Sequence, residues 1–347
     1  MAEPNFGGGD ALRPAQLGEA IDHAVFLAEE RRYIEAGLLL ERVRAFVDGR
    51  PARSALASRA RLDTLLARGG ALELVEARRR TAERALVDLR DDDGWVLYAD
   101  RHGQRTRYRR ANGVLSIKID ATVDGIRPAD AFFIWREASL FRHWSPLISR
   151  SAMLHDFHPA EVALHLEIDL PALVHADLAL HGWGCVHLRE AGAVLICVRP
   201  LEQTALPTGV TIPPPPSARR TFPPQRVPAH IDICVEPRSP TSVHFTYAVS
   251  YPLHPAVPTW AMNIILGQGM ADLFAKMRAE AVKMAAGDVA ASVHLARMRE
   301  PSGKAAARWL SDRIDPFVAS LGQPGGAAGE KARVSADTER WRRWPFR

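Results

Sequence analysis

The chain has 347 residues, room for two folded units, one large and one small. Its 47% hydrophobic and 24% charged residues exclude wholesale disorder and a collagen-like structure. The net charge of +5 comes from an Arg-heavy set, with Lys only at Lys118, Lys276, Lys283, Lys304 and Lys331; no basic stripe interleaved with aromatics traces a nucleic acid, so none is expected as a partner.

Residues 1–14 are Gly-rich and polar and read as a loose leader without the basic start and apolar run of a secretory signal. From Leu17 to Leu89 apolar residues recur at three and four, as in Leu17, Ile21, Ala24 and Val25, then Ile34, Leu38, Leu39 and Val43, then Leu62, Leu65 and Leu66. That spacing predicts about four amphipathic helices over 15–90, broken near Arg32, near Asp48-Gly49-Arg50-Pro51 and at Gly69-Gly70. Ala28 to Val47 faintly resembles one tetratricopeptide-type helix pair, without a second copy at the needed period. A packed helical bundle or a partner-binding groove both fit this segment.

Strand signals begin at Trp95-Val96-Leu97-Tyr98 and pass through a polar hairpin near His102-Gly103-Gln104. Leu115, Ile117, Ile119 and Ala121 alternate with Ser116, Lys118, Asp120 and Thr122, the period of a strand with one face buried. Pro128 opens a short helix through Ala131-Phe132-Phe133-Ile134-Trp135 that ends before His143. Further strands are predicted at 152–157, 162–168, 178–188, 194–198, 230–235 and 243–249, a mostly antiparallel sheet. The proline cluster Pro213 to Pro216 with Pro223, Pro224 and Pro228 must loop out of it, as a surface insertion or a polyproline ligand.

A long helix opens at Pro258-Thr259-Trp260, with Asn263, Gly267, Met270, Phe274, Met277 and Ala281 along one face. Met262, Met270, Met277 and Met284 are four of the seven methionines, and unbranched thioethers suit either plain core or a flexible acyl chain. A second helical stretch runs to about Leu321, and the chain ends in Trp341-Arg342-Arg343-Trp344-Pro345-Phe346-Arg347, a composition suited to the headgroup region of a bilayer or to a free tail.

Taken in order, Gly94-Trp95, Ile117-Lys118-Ile119, Trp144-Ser145-Pro146, Pro171, Asp177, Val198-Arg199-Pro200 and Pro258-Thr259-Trp260 with Asn263 resemble the START lipid-transfer family of the helix-grip superfamily. The chain departs from the family pattern where Ala176-Asp177 replaces an Arg-Asp pair and where Tyr251-Pro252-Leu253-His254-Pro255 replaces an Asp-Pro-x-Gly turn. The resemblance implies an α+β helix-grip fold over 91–288, in which a curved antiparallel sheet is closed by the last helix, between the helical unit of 15–90 and a helical and basic-aromatic tail of 289–347. It also implies a cavity for a lipid or sterol, carried or sensed at membranes without covalent chemistry.

The ligand-binding residues expected on that basis are Asn263, Gly267, Met270, Phe274, Met277, Trp144, Arg199 and Trp183, with Gly267, Gly269 and the loop near Gly209 as gate. His181, Trp183, Cys185 and His187 share one strand face, but the sequence does not decide which face points inward. No catalytic group, cofactor or metal is expected, since a zinc set on one strand would lack a fourth ligand. Three cysteines without metal spacing and no stretch of about 20 apolar residues suggest a cytoplasmic protein with at most peripheral membrane contact. Two alternatives remain: a cyclase/aromatase-like enzyme on the same scaffold, and a lipid-sensing scaffold protein whose N-terminal helices hold a partner.

Overall fold

The computed structural model describes Leu12 and residues 16–49, 52–67, 69–101, 103–145, 147–170, 174–203, 210–214, 225–252 and 270–321. The chain divides into two compact units, one of residues 1–86 with 185–187 and one of 87–184 with 188–347.

The first unit holds α1 (Leu17–Glu29), α2 (Tyr33–Asp48), α3 (Ala52–Leu66) and most of α4 (Val75–Arg90). The breaks fall where the sequence predicts them. Arg31 at φ 61° turns the chain between α1 and α2, and the Glu30 N–H closes α1 on the Phe26 carbonyl. Leu17, Ala20, Ile21, Ala24, Leu27 and Ala28 form the buried stripe of α1, the three-four spacing read from the sequence. Buried Tyr33 accepts hydrogen bonds at its hydroxyl from Arg31 and Arg78. Gly37 lies against the Arg79 stem, which reaches Glu41 at 2.7 Å and Glu76 and Glu83 at 3.1 Å.

The second unit is built on one sheet: β1 (Val96–Arg101), β2 (Gln104–Ala111), β3 (Val114–Asp124), β4 (Ile148–His158), β5 (Glu161–Leu170), β6 (Val174–His187), β7 (Ala193–Pro200), β8 (Gln225–Arg226), β9 (His230–Ser239) and β10 (Ser242–Pro252). Its order is β1-β2-β3-β10-β9-β7-β6-β5-β4, and the short β8 pairs with β6 in parallel, off that path. Asn112 and Gly113, at φ 51° and 74°, supply the two-residue turn that joins β2 to β3. Between β3 and β4 lie α5 (Pro128–Arg136) and a 3-10 turn over Ala138–His143, and α6 (Leu188–Ala191) is a single turn.

The register carries β3 onto β10 without interruption from Ser242 opposite Asp124 to Pro252 opposite Val114. Leu115, Ile117, Ile119 and Ala121 are buried as the alternation requires. The other face of β3 is not simply solvated: Ser116 is buried and Lys118 is fully buried. The Lys118 ammonium donates to the Asp91 carbonyl at 2.7 Å and to Asp92 at 2.7 Å, and lies 4.9 Å from the Trp95 ring centre. A lysine is tolerated there because it satisfies carbonyls just past the end of α4, where positive charge is favoured.

After β10 the described chain resumes with α7 (Met270–Ala285), followed by α8 (Val293–Arg299) and α9 (Pro301–Leu321). The predicted helix start at Pro258 lies outside the described residues. The stretch after Gly287 is two helices rather than one, broken where Glu300 leaves the helical conformation ahead of Pro301. The α9 helix packs along α5, and Gly303 admits the close approach of α8: a Cβ there would stand 2.1 Å from the Arg297 carbonyl oxygen. No helix among the described residues is long and apolar enough to cross a membrane.

Candidate functional site: the sheet face beneath α7

The inner face of the sheet, the one turned toward α5 and α7, is fixed by ring contacts. Trp135 of α5 stacks on Tyr247 at 5.5 Å and meets Phe245 at 6.4 Å, while Phe274 of α7 meets the same two β10 rings at 6.3 and 6.1 Å. Trp144 and Phe141, from the chain after α5, stand edge-on to Trp135 at 6.0 and 6.1 Å. These aromatics join α5, α7 and β10 into one layer.

From β10 the register propagates this face across the sheet. Ile117, Val249, Ile231 and Val198 fall in one row through the β3, β10, β9 and β7 pairings. The row continues at Gly182, where a Cβ would touch Val198 at 3.6 Å and Leu164 and Val162 at 3.9 Å. Every side chain in this row is aliphatic, and Gly182, at its far end, carries none. Val249, Ile231 and Tyr251 are only half-buried, whereas Phe245, Tyr247 and Ile233, nearer α5, are buried.

Polar groups on this side fall into two kinds. The buried carboxylates Glu137 and Glu280 are paired. Glu137, fully buried, accepts from Arg136 and from Arg297 of α8 at 2.9 Å, and Arg136 also reaches Asp156 of β4 at 2.5 Å. Glu280 of α7 accepts from Ser292 at 2.8 Å and Lys283 at 3.1 Å and bonds His294 at 3.1 Å. Burial alone would raise the Glu280 pKa, but these hydrogen bonds bring it down to about 2.

Three uncharged groups are not paired among the described residues. The indole N–H groups of Trp135 and Trp144 and the hydroxyl of Tyr251 are buried atoms with no hydrogen-bond partner among the described residues. Burial pushes the Tyr247 and Tyr251 phenols well above their ordinary pKa, and ionising Tyr251 would further oppose ionising Tyr247, so both stay neutral.

The expected site residues divide by face. Phe274, Met277 and Trp144 are buried on the α7 side, with Phe274 and Trp144 in the aromatic layer. The backbone of Met270 begins α7, and Asn263, Gly267, Gly269 and Gly209 lie outside the described residues, as does the 341–347 segment.

Trp183 and Arg199 must be reassigned. They alternate with Gly182 and Val198, which place them on the opposite face of the sheet. Arg199 there reaches the Ile231 carbonyl at 3.1 Å and Asp232 at 2.8 Å, so it braces β7 to β9 instead of reading a ligand beneath α7. Trp183 packs against His181, itself bonded to Glu161 at 3.0 Å, and on the same face His165 and Arg226 both bond the fully buried Asp177. This answers which face of the His181 strand points inward: that of Leu180, Gly182 and Gly184. Among the described residues no group of three or more His, Cys, Asp or Glu is placed to hold a metal ion, and Cys185, Cys197 and Cys234 are free thiols.

Trp135, Tyr247, Tyr251 and Phe245 belong to the site and were missed as site residues. Their signal was the aromatic set Phe245, Tyr247 and Tyr251 at even spacing on one strand.

The strand order, the α5 insertion between β3 and β4, and a long helix after the last strand, packed on α5 and β3, define the architecture. This is a helix-grip fold. No family model and no curated protein matches the chain. Among solved structures it is similar to a STAR-related lipid transfer protein of Xanthomonas axonopodis, at 19% identity and TM-score 0.42 over 55% of this chain and 99% of that one. It is similar to human StAR-related lipid transfer protein 5 at 15% identity and TM-score 0.47, over 59% of this chain and 94% of that one. A Streptomyces aromatase/cyclase is similar at 9% identity and TM-score 0.34, over 52% and 99%. These are likenesses of chain course, and the fold assignment stands on the strand order and helix placement.

Proposed function

We propose that the helix-grip unit binds a lipid-type hydrophobic ligand between the inner face of its sheet and α7, and carries or senses it at membranes without covalent chemistry. One observation carries this reading: an aliphatic row from Ile117 to Gly182 crosses five strands, lacks a side chain at Gly182 and stays half-buried at Val249 and Ile231. A face built only to pack α7 would gain by filling that gap, because close-packed interiors lose dispersion contacts at every void. The START resemblance of the sequence supports the same reading.

Energetics permit it. Each CH₂ moved from water to an apolar site gains roughly 0.8 kcal/mol, so a dozen-carbon chain is worth about 10 kcal/mol before ordering costs. Non-enzymatic binding is favoured over a cyclase-like activity because the buried carboxylates Glu137 and Glu280 are engaged in ion pairs with Arg136, Arg297 and Lys283. Within this reading the binding domain spans about 91–288, the N-terminal helices are free to hold a protein partner, and the protein works from the cytoplasm.

Native mass spectrometry of the purified full chain, with extraction of co-purifying lipids, tests the proposal. A bound lipid, or uptake of a fluorescent sterol or phospholipid from vesicles, is the expected result. A chain that arrives empty and takes up neither would refute it.

A further inference from the structure

The inner face of the sheet carries one unbalanced charge. Alternation and register place Thr106, Tyr108 and Arg110 of β2 on it, beside Leu115, Ile117 and Ile119 of β3 and Tyr247, Val249 and Tyr251 of β10. The residues that β9 and β7 turn to that face are uncharged as well, so across these five strands Arg110 is its single ion. Arg110 is exposed and makes no ion pair among the described residues. The other arginines of β2 all have partners: Arg105 bonds Asp100 at 3.0 Å, Arg107 bonds Asp120 at 2.5 Å, and Arg109 lies 4.8 Å from the Trp95 ring centre.

Arg110 stands opposite Leu115, and Leu115 opposite Tyr251, so the three form one row next to the aliphatic row of Ile117, Val249 and Ile231. With strands about 4.8 Å apart, the Arg110 and Tyr251 backbones are roughly 10 Å from each other, a span that two long side chains on one face close around a ligand atom. The Tyr251 hydroxyl is buried and has no partner among the described residues. Burial pushes its pKa up and the Arg110 guanidinium pulls the other way, so the Arg110 charge is felt at the phenol. Burial prevails, and the phenol keeps its proton to donate. The described turns of α7 lie toward the other end of these strands, where Phe274 meets Phe245 and Arg278 donates to the Thr122 carbonyl at 3.1 Å.

A guanidinium only donates, the neutral phenol adds a further donor, and no carboxylate shares their face on these five strands. A cationic head group would be repelled there, and a neutral one would forgo the stronger charge-assisted bond. Resting on the lipid-binding reading above, we propose that the ligand is an anionic lipid whose carboxylate or phosphate is held by Arg110, with the Tyr251 hydroxyl donating a second hydrogen bond. Its hydrocarbon follows the aliphatic row through Val249, Ile231 and Val198.

The test uses the full chain and four lipids that share the oleyl chain: oleate and oleoyl-lysophosphatidate, anionic at about pH 8; oleyl alcohol, which is neutral; and oleylamine, which is cationic. Each is supplied below its micelle concentration and without vesicles, so that retention through gel filtration reports binding within the protein and not attraction to a membrane surface. The two anions are expected to be held about tenfold better than oleyl alcohol, the yield of one charge-assisted hydrogen bond, and oleylamine least. Arg110→Gln should lower oleate retention about tenfold and leave oleyl alcohol unchanged, and Tyr251→Phe should lower oleate retention about threefold. Raising the salt should narrow the preference for the anions, because an exposed guanidinium is screened.

Inorganic phosphate added as a competitor is expected to leave oleate bound; phosphate that displaces oleate at an equal concentration would make the pair a site for free oxyanions and overturn the lipid head group. Oleyl alcohol held as well as the anions overturns the proposal, and so does Arg110→Gln with wild-type oleate retention. Failure to retain any of the four would instead remove the lipid-binding reading itself.

Discussion

Glu280 fastens the closing helix α7 to its successor α8, and its charge can be weighed. The carboxylate sits on α7 at 2% side-chain exposure, takes the Ser292 hydroxyl and bonds the His294 ring, while Ser292 in turn caps α8 by accepting from the Leu295 N–H at 3.3 Å. The drop in its pKa from 4.5 to about 2 would be worth about 3 kcal/mol at about 1.4 kcal/mol per pH unit. Lys283, one of its three partners, is 47% exposed and screened by water, which brings the figure to about 2 kcal/mol. Because the folded pKa lies below the unfolded one, this contribution is whole above about pH 4.5, shrinks as pH falls and is gone below about pH 2.

Urea unfolding of wild type and Glu280→Gln, monitored between about pH 3 and 7, reads it as a difference. The variant should be less stable by about 2 kcal/mol from neutrality down to about pH 4.5, with the gap narrowing below that. A gap that stays constant across the series, or none at pH 7, would show that the carboxylate charge does not hold α7 to α8.

Other substitutions probe separate parts of the unit. Gly182→Ala should be nearly neutral, its methyl meeting neighbours at 3.6–3.9 Å, whereas Gly182→Phe should project a ring into the inner face and abolish lipid uptake with melting little changed. Lys118→Met should cost about 1–3 kcal/mol in chemical denaturation by leaving the Asp91 carbonyl without its donor. Gly303→Ala, forcing a methyl against the Arg297 carbonyl, should lower stability by about 1–3 kcal/mol and speed hydrogen exchange across α8 and the start of α9.

Much of this architecture was legible because its signals are periodic. The three-four spacing placed four N-terminal helices and their breaks, and strand-type runs placed every strand of the sheet except β8, since both patterns reflect which face is removed from water. The two-residue β8 was not legible: it pairs with β6 only through Ala176 and Asp177, a tertiary contact with no pattern of its own. Lys118 misled for a related reason. Alternation assigns it to the wet face, and only the placement of Asp91 and Asp92 beside it turns that position into a buried cap.

The site was legible in part, and its errors share a cause. Period two separates His181 and Trp183 from Leu180 and Gly182, yet the two faces are equivalent until something packs on one of them. Polar and aromatic side chains drew the ligand assignment to Trp183 and Arg199, while the inner face is the one that looks featureless in sequence: Val198, Gly182, Ile231, Val249. On the proposed reading a greasy guest selects for that blandness, because an unmatched polar group along a hydrocarbon path would cost more than it returned. Part of the polarity that the inner face holds is attached to rings, in Trp135, Trp144 and Tyr251, where an apolar body carries one hydrogen-bonding atom. Such residues count as hydrophobic in any periodicity argument, so their donors become visible only once the register shows that no described residue answers them.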